Sequence, residues 1–132
     1  MMPPAVIDAS AAVDWLLRTP RADRLDAHLA RLDLMAPEII DAELLNALRR
    51  RERLGSVSSE RASAAVVDWL TAPVERIGHL GFVLEAWGLR HNLTAYEAMY
   101  VALARAMECE LVTSDRRLAR APDLGITVMV VT

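Results

Sequence analysis

The chain has 132 residues, of which 54% are hydrophobic and 25% are charged, so we expect one folded domain spanning residues 1–132 rather than a disordered segment. A lone cysteine, Cys109, excludes an internal disulfide, and no apolar run approaches the roughly 18 residues that cross a bilayer. The start lacks a positively charged leader, which predicts a cytoplasmic protein with no membrane partner, and the formal charge of −3 argues at first against a nucleic-acid partner.

Apolar runs of strand length alternate with helical patterns along the whole chain. In chain order we predict strand 5–7, helices 10–17 and 21–30, strand 34–36, helices 38–53 and 59–70, strand 73–77, helices 80–91 and 95–107, strand 110–113, a short helix after residue 115, and strand 127–131. Ser10 is expected to cap the first helix, Pro37 to open helix 38–53 and Gly55 to end it. The alternation predicts an α/β fold with a parallel central sheet and helices on both faces.

Four carboxylates stand where apolar elements end or turn inward: Asp8, Glu43, Glu97 and Asp115. Ligands of parallel sheets bind beyond the carboxyl ends of the strands. Asp8 and Asp115 each follow an apolar strand run, so they share one edge of the sheet if the two strands are neighbours. A pocket of several carboxylates is the kind of site that holds Mg²⁺.

Each carboxylate of the strand-end pair also has a purely structural interpretation. Asp8 could be a turn residue leading into the first helix, and Asp115 could cap the short helix that follows it. Beside Asp115, the hydroxyls of Thr113 and Ser114 could position a ligand, a water or a phosphate.

The two helical glutamates are open to the same pair of interpretations. Glu43 falls on the flank of an apolar helix face, with Asn46 and Arg50, so it points either into a cleft or to an arginine on the surface. Glu97 is the one charged residue of a largely apolar helix segment, which favours a buried functional carboxylate. The spacing from Thr94 to Glu97 also fits a capping box.

All 15 basic residues are arginines, and they cluster at 49–53 and 116–120, close to two of the carboxylates. If four carboxylates are committed to bound metal, the remainder of the chain is positive by one charge. Arginine forks suit phosphate, so Arg116 and Arg117 are candidates for contacts to an RNA backbone. The alternative is that both clusters are solvated helix faces.

Three other classes of protein are excluded by what the chain lacks. A phosphoacceptor receiver domain needs a lysine beside its acidic pocket, and this chain has no lysine. A P-loop nucleotidase needs the Gly-Lys-Ser/Thr sequence, which is absent. A phosphatase of the haloacid-dehalogenase type would want a second aspartate where Ser10 stands.

The order and context of these segments resemble the PIN-domain ribonucleases, and among them the VapC-type toxins of bacterial type II toxin–antitoxin pairs. The stretches that carry the resemblance are Val6-Ile7-Asp8-Ala9-Ser10, Ala36-Pro37-Glu38, Glu43-Leu44-Leu45-Asn46-Ala47-Leu48-Arg49-Arg50, Leu93-Thr94-Ala95-Tyr96-Glu97-Ala98-Met99-Tyr100-Val101-Ala102-Leu103-Ala104 and Leu111-Val112-Thr113-Ser114-Asp115-Arg116-Arg117-Leu118. The resemblance covers essentially the whole chain.

The resemblance implies a three-layer α/β/α PIN domain and a toxin that is an endoribonuclease dependent on Mg²⁺ or Mn²⁺. The implied substrate is a structured RNA such as tRNA or rRNA, whose cleavage inhibits translation. By position, Asp8, Glu43 and Asp115 match the family's acidic residues, and Asn46 and Thr113 match its supporting polar residues. The family's usual Tyr-Asp pair is Tyr96-Glu97 here, which makes Glu97 a weaker candidate ligand.

The longer side chain at Glu97 leaves a second function open, a weakened PIN-fold module that mainly binds antitoxin or RNA. The resemblance also implies a homodimer and a cognate VapB-type antitoxin, which would place a basic side chain in the acidic pocket. Helices 21–30 and 59–70 each carry an apolar stripe. Each stripe is either exposed for binding to these partners or buried in the core of the chain.

Overall fold

A computed structural model describes residues 1–131, and in them five parallel strands form one sheet. The strands are β1 (Pro4–Ile7), β2 (Asp33–Pro37), β3 (Val74–Ile77), β4 (Glu110–Thr113) and β5 (Val128–Val130). The described residues also form the helices α1 (Ala9–Leu17), α2 (Ala22–Leu29), α3 (Ile40–Arg53), α4 (Ser59–Trp69), α5 (Val83–Gly88), α6 (Ala95–Ala106) and α7 (Arg116–Ala119).

The strand order is β3-β2-β1-β4-β5, so β1 lies at the centre between β2 and β4. Val6 pairs with Met35 on one side and with Leu111 on the other. The inner residues of these three strands are almost fully buried, as expected for a parallel sheet covered on both faces. The predicted parallel sheet is confirmed.

The strand order reverses at β1, and this reversal defines the layers. Helices α1 to α4 lie in the connections from β1 through β2 to β3, whereas α5 and α6 connect β3 back to β4. Right-handed crossovers running in opposite directions place these two groups of helices on opposite faces of the sheet. The result is the predicted α/β/α sandwich, with a switch point between the carboxyl ends of β1 and β4.

The predicted starts of two helices were wrong. Asp8, not Ser10, is the N-cap of α1, because its extended backbone lets its carboxylate accept a hydrogen bond from the Ala11 amide. Pro37 does not open α3. It is the last residue of β2 and pairs with Ile77, and a turn separates it from the helix. Gly55 follows the end of α3 with a φ of 79°, a left-handed conformation that suits glycine.

The predicted helix 80–91 is divided in the structure. A 3-10 turn, Leu80–Phe82, precedes α5, which ends at Gly88. No side chain caps either segment, and the Phe82 backbone leaves the helical region between them. Several apolar residues of this segment are exposed, including Leu80, Leu84 and Trp87.

The apolar stripes on the two early helices have different outcomes. The stripe on α2 is internal, because Ala22, Leu25 and Leu29 are buried. Helix α4 buries Ala65 and Trp69 but exposes Val67, and Leu70 just beyond its end is exposed as well. Within residues 1–131, no helix is both long and apolar enough to span a membrane.

Candidate active site

The structure brings the four predicted carboxylates to one cavity of about 320 Å³ at the carboxyl edge of the sheet. Asp8 follows β1, Glu43 lies on α3, Glu97 on α6 and Asp115 after β4. The cavity is lined by Asp8, Ala9, Ser10, Glu43, Arg50, Glu97, Tyr100, Asp115 and Leu118. It opens at the switch point of the sheet, where ligands of such folds bind.

Asp8 is buried and held on both carboxylate oxygens. Its Oδ1 accepts hydrogen bonds from the Ser10 hydroxyl at 2.7 Å and from the Ala11 amide at 3.0 Å. Its Oδ2 accepts one from the Thr113 hydroxyl at 2.5 Å. These donors are all neutral, so the carboxylate is oriented without a counter-charge.

Ser10 and Thr113 tie the end of β1 to the end of β4. The Ser10 hydroxyl accepts a hydrogen bond from the Ser114 amide at 3.0 Å, and the Thr113 hydroxyl accepts one from the Asp115 amide at 3.0 Å. Thr113 itself is fully buried. The sequence identified Thr113 as a supporting residue, whereas it assigned Ser10 only a capping role, which belongs to Asp8.

Glu97 and Asp115 share one arginine. Nη2 of Arg117 lies 2.9 Å from Oε2 of Glu97 and 3.3 Å from Oδ2 of Asp115. Both carboxylates also act as caps, because Glu97 accepts from the Thr94 amide in a capping box and Asp115 accepts from the Arg117 amide. The structural and the functional interpretations of these residues are therefore compatible.

The side chains of Glu43 and Tyr100 both line the cavity, but they form no hydrogen bond with each other. Neither Oε1 of Glu43 nor the Tyr100 hydroxyl has a hydrogen-bond partner among the described residues. The two groups are close enough for each to influence the pKa of the other, yet the contact falls outside hydrogen-bond geometry. Of the two alternatives for Glu43, the surface pair with Arg50 is not seen: Glu43 is half-buried, and its Oε1 has no partner among the described residues.

Burial dominates the electrostatics of the cavity. Loss of solvent raises the pKa of Asp8 to about 6, although its hydrogen bonds to Thr113, Ala11 and Ser10 act in the opposite direction. Burial also raises the pKa of Glu43, and the negative charge of Glu97 adds to that shift. Asp8 and Glu43 are thus carboxylates whose ionised forms are disfavoured by burial, and an added positive charge nearby would favour those forms.

Among residues 1–131, no three side chains of the His, Cys, Asp and Glu types form a group that could hold a metal ion as they stand. Two of the four carboxylates, Glu97 and Asp115, instead form ion pairs with Arg117. The donor set still fits a hard divalent ion, because it is made of oxygens and Glu43 offers a buried carboxylate oxygen that lacks a partner.

Some residues predicted from the sequence lie apart from the cavity. Asn46 is exposed and lines an adjoining cavity of about 450 Å³ that shares only Glu43 with the first. Arg116 is exposed on α7. A larger cavity of about 520 Å³ lies at the amino ends of β4 and β5, away from these carboxylates, and half-buried Cys109 lines it.

Two residues that line the cavity were missed as site residues. Neither Tyr100 nor Arg50 was among the site residues predicted from the sequence. A positional signal was present in both cases, because Tyr100 follows Glu97 by three residues and Arg50 follows Glu43 by seven. Both spacings place the two members of the pair on the same helix face.

Comparison with known proteins identifies similar chains. The family model described as PIN domain matches residues 5–124, a range that contains all four carboxylates. Ribonuclease VapC3 of Mycobacterium tuberculosis is 42% identical over 117 residues, covering 88% of this chain and 85% of that protein. Ribonuclease VapC1 of the same organism is 41% identical over 133 residues, covering 98% and 99%.

Among solved structures, DNA-bound VapBC from Salmonella typhimurium superimposes with a TM-score of 0.67, covering 99% of this chain and 100% of that chain. The sequence identity is 18%, so this likeness concerns the fold alone.

Proposed function

This chain belongs to the PIN-domain family, and from that premise we propose that it is a metal-dependent endoribonuclease acting as the toxin of a toxin–antitoxin pair. The observation that carries the proposal is the convergence of four carboxylates from four separate elements in one cavity at the switch point of the sheet. The similarity to the VapC ribonucleases supports RNA as the substrate.

The proposed metal ligands are Asp8 and Asp115, with Glu43 and Glu97 completing or orienting the site. A bound Mg²⁺ or Mn²⁺ would supply charge neutralisation and an activated water for phosphodiester hydrolysis. Thr113 and Ser10 fix the Asp8 carboxylate, so their part is orientation. Arg117 must leave Glu97 and Asp115 for a cation to bind there, which frees its guanidinium to bind an RNA phosphate.

Glu97 is the weakest member of the proposed ligand set. Its Oε1 is occupied by the helix cap and its Oε2 by Arg117. This occupation favours the second candidate function, a PIN-fold module that binds antitoxin or RNA without cleaving it. The Glu97 carboxylate thus contacts both the Thr94 amide and Arg117. One of these two contacts must break before the carboxylate can ligate a metal.

The test is RNA cleavage by the purified chain with Mg²⁺ or Mn²⁺, and with the metal removed by EDTA. We expect cleavage only with metal, and at least about a 100-fold loss of rate in Glu43→Gln, which keeps the shape but removes the charge. Glu60→Gln, an exposed change on α4, is the matched control and should leave the rate unchanged. RNA binding without metal-dependent cleavage would favour the module instead.

We also propose a VapB-type antitoxin as partner, since solved relatives include VapBC assemblies. An antitoxin arginine or lysine would suit the same place between Glu97 and Asp115 that Arg117 occupies. A homodimer is proposed on the exposed apolar surface formed by Leu80, Leu84 and Trp87. Sedimentation velocity of the full chain, alone and with the product of the neighbouring gene, measures both assemblies.

A further inference from the structure

Tyr100 has a buried hydroxyl that the fold does not use. The residue is 3% exposed, and its Oη has no hydrogen-bond partner among the described residues. Buried polar groups nearly always have a partner, and one left without it destabilises the fold. A phenylalanine would fill the same volume without that loss, so packing alone does not explain a tyrosine at this position.

The hydroxyl lies in the acidic cavity rather than in the apolar core. Tyr100 lines the same cavity as the four carboxylates, one turn of α6 after Glu97. The Glu43 carboxylate and the Ala9 amide are close enough to affect the pKa of the phenol. The hydroxyl nevertheless has no hydrogen-bond partner among the described residues. Burial raises the pKa of this phenol far above its usual range, so the group is a neutral donor at physiological pH.

A metal ion would satisfy Glu43 but not Tyr100. The carboxylate oxygen of Glu43 needs a cation or a donor, and a divalent ion supplies the former. The phenol proton needs an acceptor, which a cation does not offer. Once an ion engages the Glu43 carboxylate, the acceptor left for Tyr100 is an oxygen atom that enters the cavity with the substrate or with the water that attacks it.

We propose that Tyr100 is a further catalytic residue, whose Oη donates a hydrogen bond to a ligand oxygen in the acidic cavity during RNA cleavage. The acceptor is either a non-bridging oxygen of the scissile phosphate or the attacking water. This proposal rests on the proposed ribonuclease function. Tyr100 itself gives up no proton and forms no covalent bond; it orients the oxygen it contacts and stabilises charge that develops there.

The experiment compares Tyr100→Phe with Tyr96→Phe, both in the full chain with Mn²⁺. Tyr96 is the matched control, because it lies on the same helix but is 57% exposed and lines the adjoining cavity instead. We expect Tyr100→Phe to lower kcat by about 10- to 100-fold. Its melting temperature should stay equal to that of the unmodified chain or rise, because an unpaired buried hydroxyl is removed. Tyr96→Phe should change kcat by less than about twofold.

Two further measurements decide how Tyr100 acts. If Oη contacts the phosphate, Tyr100→Phe also weakens RNA binding in a non-cleaving Asp115→Asn background; if it contacts the water, binding is unchanged and only kcat falls. Mn²⁺ affinity, measured by calorimetry, should not change in either case. A loss of Mn²⁺ affinity as large as that in Glu43→Gln would overturn the proposal, because Tyr100 would then act only through Glu43.

Failure of the proposal differs from failure of the proposed function. If the unmodified chain cleaves RNA with metal and Tyr100→Phe cleaves equally fast, or if the variant loses its fold, the role of Tyr100 is refuted while the ribonuclease stands. If the unmodified chain itself does not cleave RNA with any divalent metal, the proposed function fails and this role fails with it.

Discussion

Two buried aspartates, Asp8 at the N-cap of α1 and Asp14 inside the same helix, are compensated in different ways. Asp14 is 3% exposed and lies 3.3 Å from an Arg21 nitrogen and 3.4 Å from an Arg51 nitrogen. Asp8 is 8% exposed and has only neutral donors, from Ser10, Ala11 and Thr113.

A buried charge is costly without a counter-charge, and only Asp14 has one within the chain. The arginines of α3 and of the loop before α2 belong to the fold, so Asp14 is complete within the chain and stabilises it. Asp8 is oriented but has no counter-charge among its hydrogen-bond partners. The contrast distinguishes a carboxylate neutralised within the fold from one, six residues earlier on the same segment, that is proposed as a metal ligand.

The largest expected effect is on cleavage. Asp8→Asn should lower the rate of metal-dependent RNA cleavage by more than about 100-fold, because a proposed ligand charge is lost while the amide oxygen still caps α1. Asp14→Asn, assayed well below its melting temperature, should cleave within about threefold of the unmodified chain. Equal loss of activity in the two variants would contradict the proposal that Asp8, and not Asp14, takes part in cleavage.

The effects of the two variants on stability should be the reverse of their effects on cleavage: Asp14→Asn should be the more destabilised. Asp14→Asn is expected to lower the free energy of unfolding by about 1–3 kcal/mol, since two half-exposed arginines lose their shared partner. Asp8→Asn, in metal-free buffer at pH 7, should be as stable as the unmodified chain or more stable, because a buried uncompensated charge is removed. Urea denaturation followed by circular dichroism gives both values. A strongly destabilised Asp8→Asn would show that its charge serves the fold.

The pH dependence of stability should distinguish the same pair. The pKa of Asp8 is raised to about 6 in the folded state from 3.8, so the folded chain holds more protons than the unfolded chain between these values. The free energy of unfolding of the metal-free chain should therefore fall as pH rises through this window, by about 2–3 kcal/mol. Burial raises the pKa of Glu43 as well, which adds in the same direction.

Urea titrations between pH 4 and 7 in EDTA measure this fall, with Asp8→Asn as the reference from which it should be largely absent. Saturating Mg²⁺ should abolish the fall, because the ion binds the ionised carboxylate. Stability that rises with pH in the metal-free chain, relative to Asp8→Asn, would contradict the burial of an uncompensated charge.

The smallest expected effect concerns Arg117, which is the counter-charge of Glu97 and Asp115 within the chain. Arg117→Ala should raise Mn²⁺ affinity by about two- to fivefold, because the ion no longer has to displace exposed ion pairs of modest strength. Arg116→Ala removes the same charge from the neighbouring exposed position and should change the affinity less. Calorimetric titration compares them, and equal effects in both variants would reduce the role of Arg117 to its charge alone.

The parts of the site that the sequence predicted are those set by local pattern. A strand followed by an aspartate predicts a carboxylate at the sheet edge, and Asp8 and Asp115 lie there because β1 and β4 pair directly. The helical position of Glu43 on the flank of an apolar face left open a side chain turned toward a cleft or toward a surface arginine, and in the structure Glu43 lines the cavity.

The parts that the sequence missed depend on contacts between distant segments. Ser10 looks like a helix cap when read with its neighbours, yet its hydroxyl bonds to residues more than 100 positions away. Arg117 of α7 contacts Glu97 of α6, which lies 20 residues earlier in the sequence. Periodicity alone does not distinguish a tyrosine in an apolar core from one facing an acidic cavity, and Tyr100 is of the second kind.

The hydrogen bond between Thr113 and Asp8 joins residues 105 positions apart. A ribosome therefore makes nearly the whole chain before the carboxyl edge of β1 acquires the neighbour that orients its aspartate. Until β4 has emerged and paired, Asp8 lacks both Thr113 and Asp115, and the growing chain holds no assembled acidic cavity. The acidic cavity can therefore form only at a late stage of synthesis, once residues 113 and 115 are available to pack against the end of β1.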